Sequence, residues 1–275
     1  MCFEKQWSYL EVGISGGMSR VITSRSVTPL RLFNPRVNAS SCHVFVSNYG
    51  GGMVDGDSVG IKVICREDAR LHIGSVGNLH IYKGPTKGCS QTIEGFLENN
   101  ALCVLNSEPI VLHSGSSLKQ KQTWNVHPES SLLIIEWVIA GRLETGERFA
   151  FSQYVNEITV FMDGHIWMMD RFEFAPDELN YYDPALFAGL ACLLNVYMVG
   201  PKWGPLESLL TLEIDRSGGK TDSRFPVSIH PVRGHGYILR ALSDSRSDFI
   251  GITNTIYDFV SHSDYLGFNP TERKY

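Results

Sequence analysis

Glu136 is the residue in this sequence whose position most needs a chemical explanation. It interrupts the nearly continuous apolar run SLLIIEWVIA, residues 131–140, which is typical of a central strand covered on both faces. Burying a carboxylate is costly unless the group is paired, protonated or in contact with water. Two explanations stay open: a structural ion pair, for instance with Arg142, or a functional carboxylate that faces water.

A second acid, Asp57, ends the glycine-rich segment GGMVDGD, residues 51–57. Such a cluster of glycines is expected where the backbone needs positive φ or the close approach of another group. The segment lacks the Gly-Lys-Ser/Thr ending of a phosphate-binding loop and the closing Glu of a calcium loop. Asp57 is therefore either a turn-capping acid or a functional ligand, and we expect the glycines to place it against the strand that carries Glu136.

The serine, cysteine and histidine residues give little sign of a catalytic or metal-binding motif. The segment GISGG, residues 13–17, is discarded as a serine-hydrolase elbow, and the six cysteines form no CxxC pair, which favours buried, reduced thiols. The nine histidines form no HxH, HxxxH or HExxH motif. His72 and His80 could share a strand face, but the glycine-rich stretch between them makes that register doubtful.

The elements that must position these residues are mostly strands. Turn residues separate short β-branched and aromatic segments, a pattern that predicts an all-β-dominated chain with strands within 71–82, 101–113 and 123–126. Asp163-Gly164 predicts a type I′ hairpin between strands 158–162 and 165–169. Short helices are predicted near the C-terminus, over 205–212 and from residue 243 or 247 to about 262.

Length, composition and charge exclude several classes of function. The 275 residues are 43% hydrophobic and carry a net charge of −5, so the chain can form one large core and is a poor candidate for nucleic-acid binding. The amino terminus has no secretory signal pattern, and the apolar run 185–199 is too short to span a bilayer. We expect a single-domain cytoplasmic protein, residues 1–275, that binds neither nucleic acid nor membranes.

Three segments together resemble the UreD (UreH) family of urease accessory proteins. They are GGMVDGD, ARLHIGSVGNLHIYKG and EWVIAGRLETGERFAF, in the order that the family has them. The resemblance spans about residues 10–262 and leaves 263–275 as a tail. The chain departs from the family pattern where it has Glu136 in place of Asp, Gly74-Ser75-Val76-Gly77 in place of a Thr-rich run, and SEPIVLHSGSS in place of a Pro-Phe-rich segment.

The resemblance implies a helically wound scaffold of stacked β-strands that catalyses no reaction itself. It implies binding to UreF-like and UreG-like accessory proteins and to apo-urease, with a dimer of heterocomplexes as one form of the assembly. It also implies nickel in transit through a water-filled tunnel, with no tightly bound cofactor. Candidate residues on the nickel path are Asp57, Glu136 and Ser75. Carboxylates, hydroxyls and water suit a passage because strong imidazole or thiolate sites would retain the ion.

The remaining motif residues are interpreted as structural, with Arg142 and Glu147 pairing across the corner. These structural residues are Gly51, Gly52, Gly56, Gly141, Arg142, Gly146 and Glu147. Two alternatives stay open. One is a β-rich enzyme that uses Glu136 and Asp57 as an acid/base pair, and the other is a UreD-like interaction module without a metal role.

Overall fold

A computed structural model describes residues 7–36, 39–85, 88–217 and 225–272. Its helices are α1 (Gly204–Ser217) and α2 (Ile250–Ser261), preceded by short 3-10 turns at Pro201–Trp203 and Arg246–Phe249. Its strands, in chain order, are β1 (Ser8–Ser15), β2 (Met18–Arg25), β3 (Leu30–Phe33), β4 (Cys42–Asn48), β5 (Gly52–Met53), β6 (Ser58–Cys65), β7 (Arg70–Ser75), β8 (Leu79–Ile81), β9 (Cys89–Leu97), β10 (Leu102–Asn106), β11 (Ile110–Leu112), β12 (Ser117–Val126), β13 (Ser131–Ile139), β14 (Gln153–Met162), β15 (His165–Phe174), β16 (Cys192–Val199), β17 (Val227–Val232) and β18 (Gly236–Ser243).

The strands form two sheets around which the chain winds. The first sheet has the order β15-β14-β12-β9-β6-β1-β2, and the second has β17-β18-β16-β13-β10-β7-β4-β3, with β5, β8 and β11 paired beside it. From β6 to β13 the chain passes back and forth between the two sheets. The neighbouring strands of this region pair parallel within each sheet. Each turn of the winding adds one strand to the first sheet and two to the second, β7 with β8 and then β10 with β11, which confirms the predicted helically wound scaffold.

Strand β13 is covered on both faces, as its apolar run predicted. Its residues from Ser131 to Val138 are all buried. Alternate side chains contribute to two separate cores, one between the sheets and one under the helices. Those in the intersheet core are Leu132, Ile134 and Val138, and those in the helix-covered core are Leu133, Ile135 and Trp137. Glu136 has the same phase as the intersheet set, so it faces the first sheet.

The hairpin prediction is also confirmed. Strands β14 and β15 pair antiparallel, and Asp163 and Gly164 between them have φ of 50° and 75°. Both angles are positive, as the type I′ turn requires.

The two helices cover the outer face of the second sheet. Helix α1 extends five residues beyond the predicted end at 212, and α2 begins at Ile250 after its 3-10 turn. The α2 side chains Ile252, Ile256 and Val260 are buried in the core under the helices. After α2, Leu266 is buried and Phe268 stacks on the His43 ring at 4.9 Å, so this part of the chain packs on the sheet. Within the described ranges, neither helix has the length and apolar character needed to cross a bilayer.

Candidate functional site: a buried carboxylate at an intersheet cavity

A cavity of about 300 Å³ lies between the two sheets. Its walls come from both of them, because Ile61 and Ile93 belong to the first sheet and Ile73 to the second. Gly51 and Gly77 also line it and are exposed, so the cavity reaches the surface at the glycine-rich segments. Its buried lining residues include Glu136, Gln120, Gln122 and Trp124.

Amide groups surround the Glu136 carboxylate. Gln122 Nε2 donates to Oε1 at 2.6 Å, and Gln120 Nε2 donates to the same oxygen. Asn156 Nδ2 donates to Oε2 at 2.8 Å. Across the described residues, no Lys or Arg forms an ion pair with this carboxylate. The suggested pairing with Arg142 is therefore wrong, because Arg142 binds another acid.

The neighbouring strands hold these amides in fixed orientations. Trp124 Nε1 donates to Gln122 Oε1 at 3.0 Å, which turns the Gln122 amide nitrogen toward Glu136. Gln120 Nε2 also donates to Asn156 Oδ1 at 3.1 Å, which links β12 to β14. Analysis of the sequence missed these partners. The available signal was the alternation in KQKQTW, where both glutamines share the strand phase of the buried Trp124.

Burial raises the pKa of Glu136 from 4.5 to about 7. Loss of hydration is the largest cause, while the donated hydrogen bonds of Asn156, Gln122 and Gln120 oppose it, and the charge of Asp170 adds to the increase. Near neutral pH the group therefore exists in both protonation states. A cation that reached it would compensate for the hydration that the carboxylate has lost.

Ser75 lines the same cavity as Glu136, at the end of β7. Its Oγ accepts a hydrogen bond from the Glu108 backbone N at 2.6 Å. Glu108 also lines the cavity, and its carboxylate forms an ion pair with Arg246 at 3.0 Å. Two of the three predicted path residues, Glu136 and Ser75, are thus brought to one cavity.

Asp57 occupies a different position. Its Oδ2 accepts a hydrogen bond from the Val54 backbone N at 2.9 Å, the geometry of a turn-capping acid. It directly precedes β6, which β9 separates from the glutamine-bearing strand β12. Two strand spacings amount to about 10 Å. Among the residues that the structure describes, Asp57 is not part of the cavity lining, so the expected placement against Glu136 is not observed.

The glycine-rich segment has the conformations that its composition suggested. Gly51 and Gly56 have φ of 71° and 88°. Gly52 is extended, but a Cβ there would lie 2.3 Å from the His80 carbonyl oxygen, because β5 and β8 approach closely. The segment therefore turns tightly and forms part of the cavity mouth.

Arg142 and Glu147 form an ion pair across their corner, with Arg142 Nη2 and Glu147 Oε2 at 2.7 Å. Glu147 Oε1 also accepts from the Ser114 backbone N at 2.9 Å. Gly141 has φ of 137°, and a Cβ on it would lie 2.2 Å from the Glu147 carbonyl oxygen. Gly146 caps the 3-10 turn Leu143–Thr145 in the left-handed region. The pair holds the corner together, and its acid is the more buried partner.

Four of the nine histidines form two separate pairs. His72 is buried and lies 4.5 Å from the His43 ring, whereas His80 lies on another strand and contacts His113. A shared strand face for His72 and His80 is therefore wrong. Within the described residues, no group of three or more His, Cys, Asp or Glu side chains could hold a metal ion.

The cysteines that the structure describes are free and buried, as the sequence predicted. They are Cys42, Cys65, Cys89, Cys103 and Cys192; Cys2 lies outside the described residues. Burial raises the pKa of the Cys103 thiol to about 12. These thiols are therefore protonated at neutral pH and are weak metal ligands.

A row of polar residues continues from Glu136 across the second sheet. Asn195 lies directly opposite Glu136 on β16, and Arg240 lies opposite Asn195 on β18. Both amide atoms of Asn195 are buried, and the described residues give them no hydrogen-bond partner. Arg240 Nη2 pairs with Asp170 Oδ1 of the first sheet at 2.5 Å, so polar contacts join the sheets on this side as well.

Comparison with known proteins places the chain in a family. A family model described as UreD urease accessory protein matches residues 7–271. The urease accessory protein UreD of Cytophaga hutchinsonii is 30% identical over 96% of both chains. That of Staphylococcus aureus is 24% identical over 95% of this chain and 96% of its own, and the urease accessory protein D of Oryza sativa subsp. indica is 24% identical over 90% and 87%. The chain belongs to the UreD urease accessory protein family.

Proposed function

We propose that this chain passes nickel ions through the intersheet cavity to urease while the enzyme is being matured. The single observation that carries the proposal is the Glu136 carboxylate. It is buried, accepts hydrogen bonds from three neutral amides, and lines a cavity that reaches the surface at Gly51 and Gly77. A side chain kept only to stabilise the fold would be apolar at this position, because burying a carboxylate without a basic partner is costly.

The ligands around the cavity are suited to an ion in transit. Carboxylate, amide and hydroxyl oxygens bind nickel more weakly than clustered imidazoles or thiolates do. A passage requires binding strong enough for the ion to enter and weak enough for it to leave. In this proposal Glu136 supplies the inner charge and Ser75 an outer hydroxyl, whereas Asp57 caps the glycine-rich turn that forms part of the cavity mouth.

The ion needs a source and a destination. In this proposal the chain is a non-catalytic scaffold in the cytoplasm, where UreF-like and UreG-like partners deliver nickel and apo-urease receives it. The names of the relatives, urease accessory proteins, support this placement in urease maturation. In this proposal residues 1–275 act as a single domain, which is supported by the winding that joins both sheets within the described residues.

The test is urease activation with the Glu136→Gln variant. Gln keeps the size of the side chain but removes its charge, and Glu129→Gln on the surface is the matched control. Each variant is co-expressed with urease subunits and the other maturation factors in nickel-containing medium. Urease activity, nickel per urease and recovery of the accessory complex are then measured.

We expect Glu136→Gln to form the complex normally while nickel per urease and urease activity fall at least tenfold. The control should match the wild type. Full activation by Glu136→Gln would contradict the proposed passage. If the complex formed and supported activation whatever the residue at 136, the chain would be a scaffold without a metal role.

A further inference from the structure

His80 and His113 form a pair of imidazoles that the proposed passage does not use. His80 lies on β8, and His113 directly follows β11, the parallel partner of β8. The two residues are 33 apart in sequence. His80 Nδ1 and His113 Nε2 are 2.9 Å apart and share a hydrogen bond. Both side chains are half-buried, so solvent and a partner can reach them.

The two ring nitrogens lie close enough together to bind one metal ion. At a metal–nitrogen distance of about 2.1 Å, two ligands at a right angle lie about 3.0 Å apart, whereas two ligands at the tetrahedral angle lie about 3.4 Å apart. The observed 2.9 Å is the length of the hydrogen bond between the rings, and a small rotation of the rings reaches either separation. Square-planar nitrogen sites favour Ni²⁺ and Cu²⁺. Both nitrogens can present lone pairs once the ring that donates in the hydrogen bond changes tautomer.

The surroundings hold the two rings in place. The Tyr82 ring lies 5.0 Å from the His113 ring and 6.1 Å from the His80 ring. Gly52 of β5 pairs with His80 of β8, and the two strands approach each other closely there. The residue after His113, Ser114, donates its backbone N–H to Glu147 of the Arg142 corner. The three segments that carry the family resemblance thus meet at this pair.

We propose that His80 and His113 form a two-imidazole binding site for Ni²⁺, with its remaining coordination positions open to water or to a side chain of a partner protein. The choice of ion rests on the proposed function, whereas the site itself rests on the geometry of the pair. Two imidazoles bind less tightly than a complete set of protein ligands, so the ion can be handed on. His113 belongs to the segment SEPIVLHSGSS, in which this chain departs from the family pattern.

Direct nickel binding by the purified full chain tests the site. NiCl₂ is titrated calorimetrically into the wild type, His80→Gln and His113→Gln. His230→Gln is the matched control, because His230 is an exposed histidine on β17, in another part of the second sheet. Circular dichroism verifies that each variant is folded, and X-ray absorption identifies the nickel ligands.

We expect each of the two site variants to weaken the tightest nickel binding at least tenfold, and the control to leave it unchanged. The wild-type X-ray absorption spectrum should show two imidazoles on the nickel ion. Unchanged affinity in both folded site variants, or nickel without imidazole ligands in the wild type, would overturn the site. Because this assay contains no urease, its failure would leave the activation test of Glu136 to stand or fall alone.

Discussion

Replacing Glu136 by Gln should remove one specific component of the pH dependence of folding stability. The fold raises the pKa of this carboxyl to about 7, compared with 4.5 for the ordinary side chain in the unfolded chain. Below pH 4.5 the group is protonated in both states. Between pH 4.5 and 7 the unfolded chain ionises first, so the free energy of unfolding falls as the pH rises.

The magnitude follows from the two pKa values. Their difference corresponds to about 3 kcal/mol, and this loss is complete once the pH exceeds the folded-state pKa. Glu136→Gln has no group that titrates at this position. The free energy of unfolding of the wild type should therefore fall by about 3 kcal/mol relative to that of the variant between pH 4.5 and 8.

Urea unfolding followed by tryptophan fluorescence measures this difference at pH 5, 6, 7 and 8. Taking wild type minus variant at each pH cancels the titration of every other group that the substitution leaves unperturbed. Glu129→Gln, a substitution at an exposed position, is measured alongside as the control. A flat difference for Glu136→Gln, within about 0.5 kcal/mol, would refute the argument that burial without a basic partner sets the pKa of Glu136.

Three further predictions concern stability and are measured by the same urea unfolding at pH 7. Gly141→Ala should lower the free energy of unfolding by about 3 kcal/mol, because the φ of Gly141 is 137° and the new Cβ meets the Glu147 carbonyl. Gly146→Ala, with open space around the new Cβ, should lower it by about 1 kcal/mol, and equal losses for the two variants would contradict this. Trp203→Ala should cost about 3–5 kcal/mol, since the indole is fully buried; a loss below about 1 kcal/mol would show that the helices pack independently of it. Asn195→Leu should be neutral or stabilise the protein by about 1 kcal/mol, because the buried amide has no partner among the described residues; a large loss would reveal a hydrogen bond to an ordered water.

Local sequence signals predicted the parts of the fold that depend on neighbouring residues. Asp163-Gly164 specified its turn because few other pairs accept two positive φ angles. The apolar run around Glu136 specified a strand covered on both faces, and the alternation of short strands with turns indicated an all-β-dominated chain. The winding of the strands was implied by the family resemblance and not by these local signals. Helix α1 continues past the predicted end because its later turns pack Ile214 into the core under the helices.

The candidate site depends on contacts between distant residues, which the sequence does not display. The amide donors to Glu136 lie on β12 and β14, and only the winding brings these strands opposite β13. The His80–His113 pair joins two short strands in the same way. Asp57 shows the opposite outcome, because its carboxylate caps a turn instead of meeting Glu136. Residue type identified which groups needed explanation, while strand order determined which of them meet.

The most direct test of the central claim is to block the mouth of the cavity without touching its acids. Gly77 lines the cavity, has open space around it and has no strained φ, so its backbone accepts a larger side chain. Nickel per urease is measured for Gly77→Trp and for Gly77→Ala as the small control, in preparations with equal recovery of the accessory complex. We predict that Trp abolishes nickel delivery while Ala supports it. Full nickel loading by the Trp variant would contradict passage of the ion through this cavity.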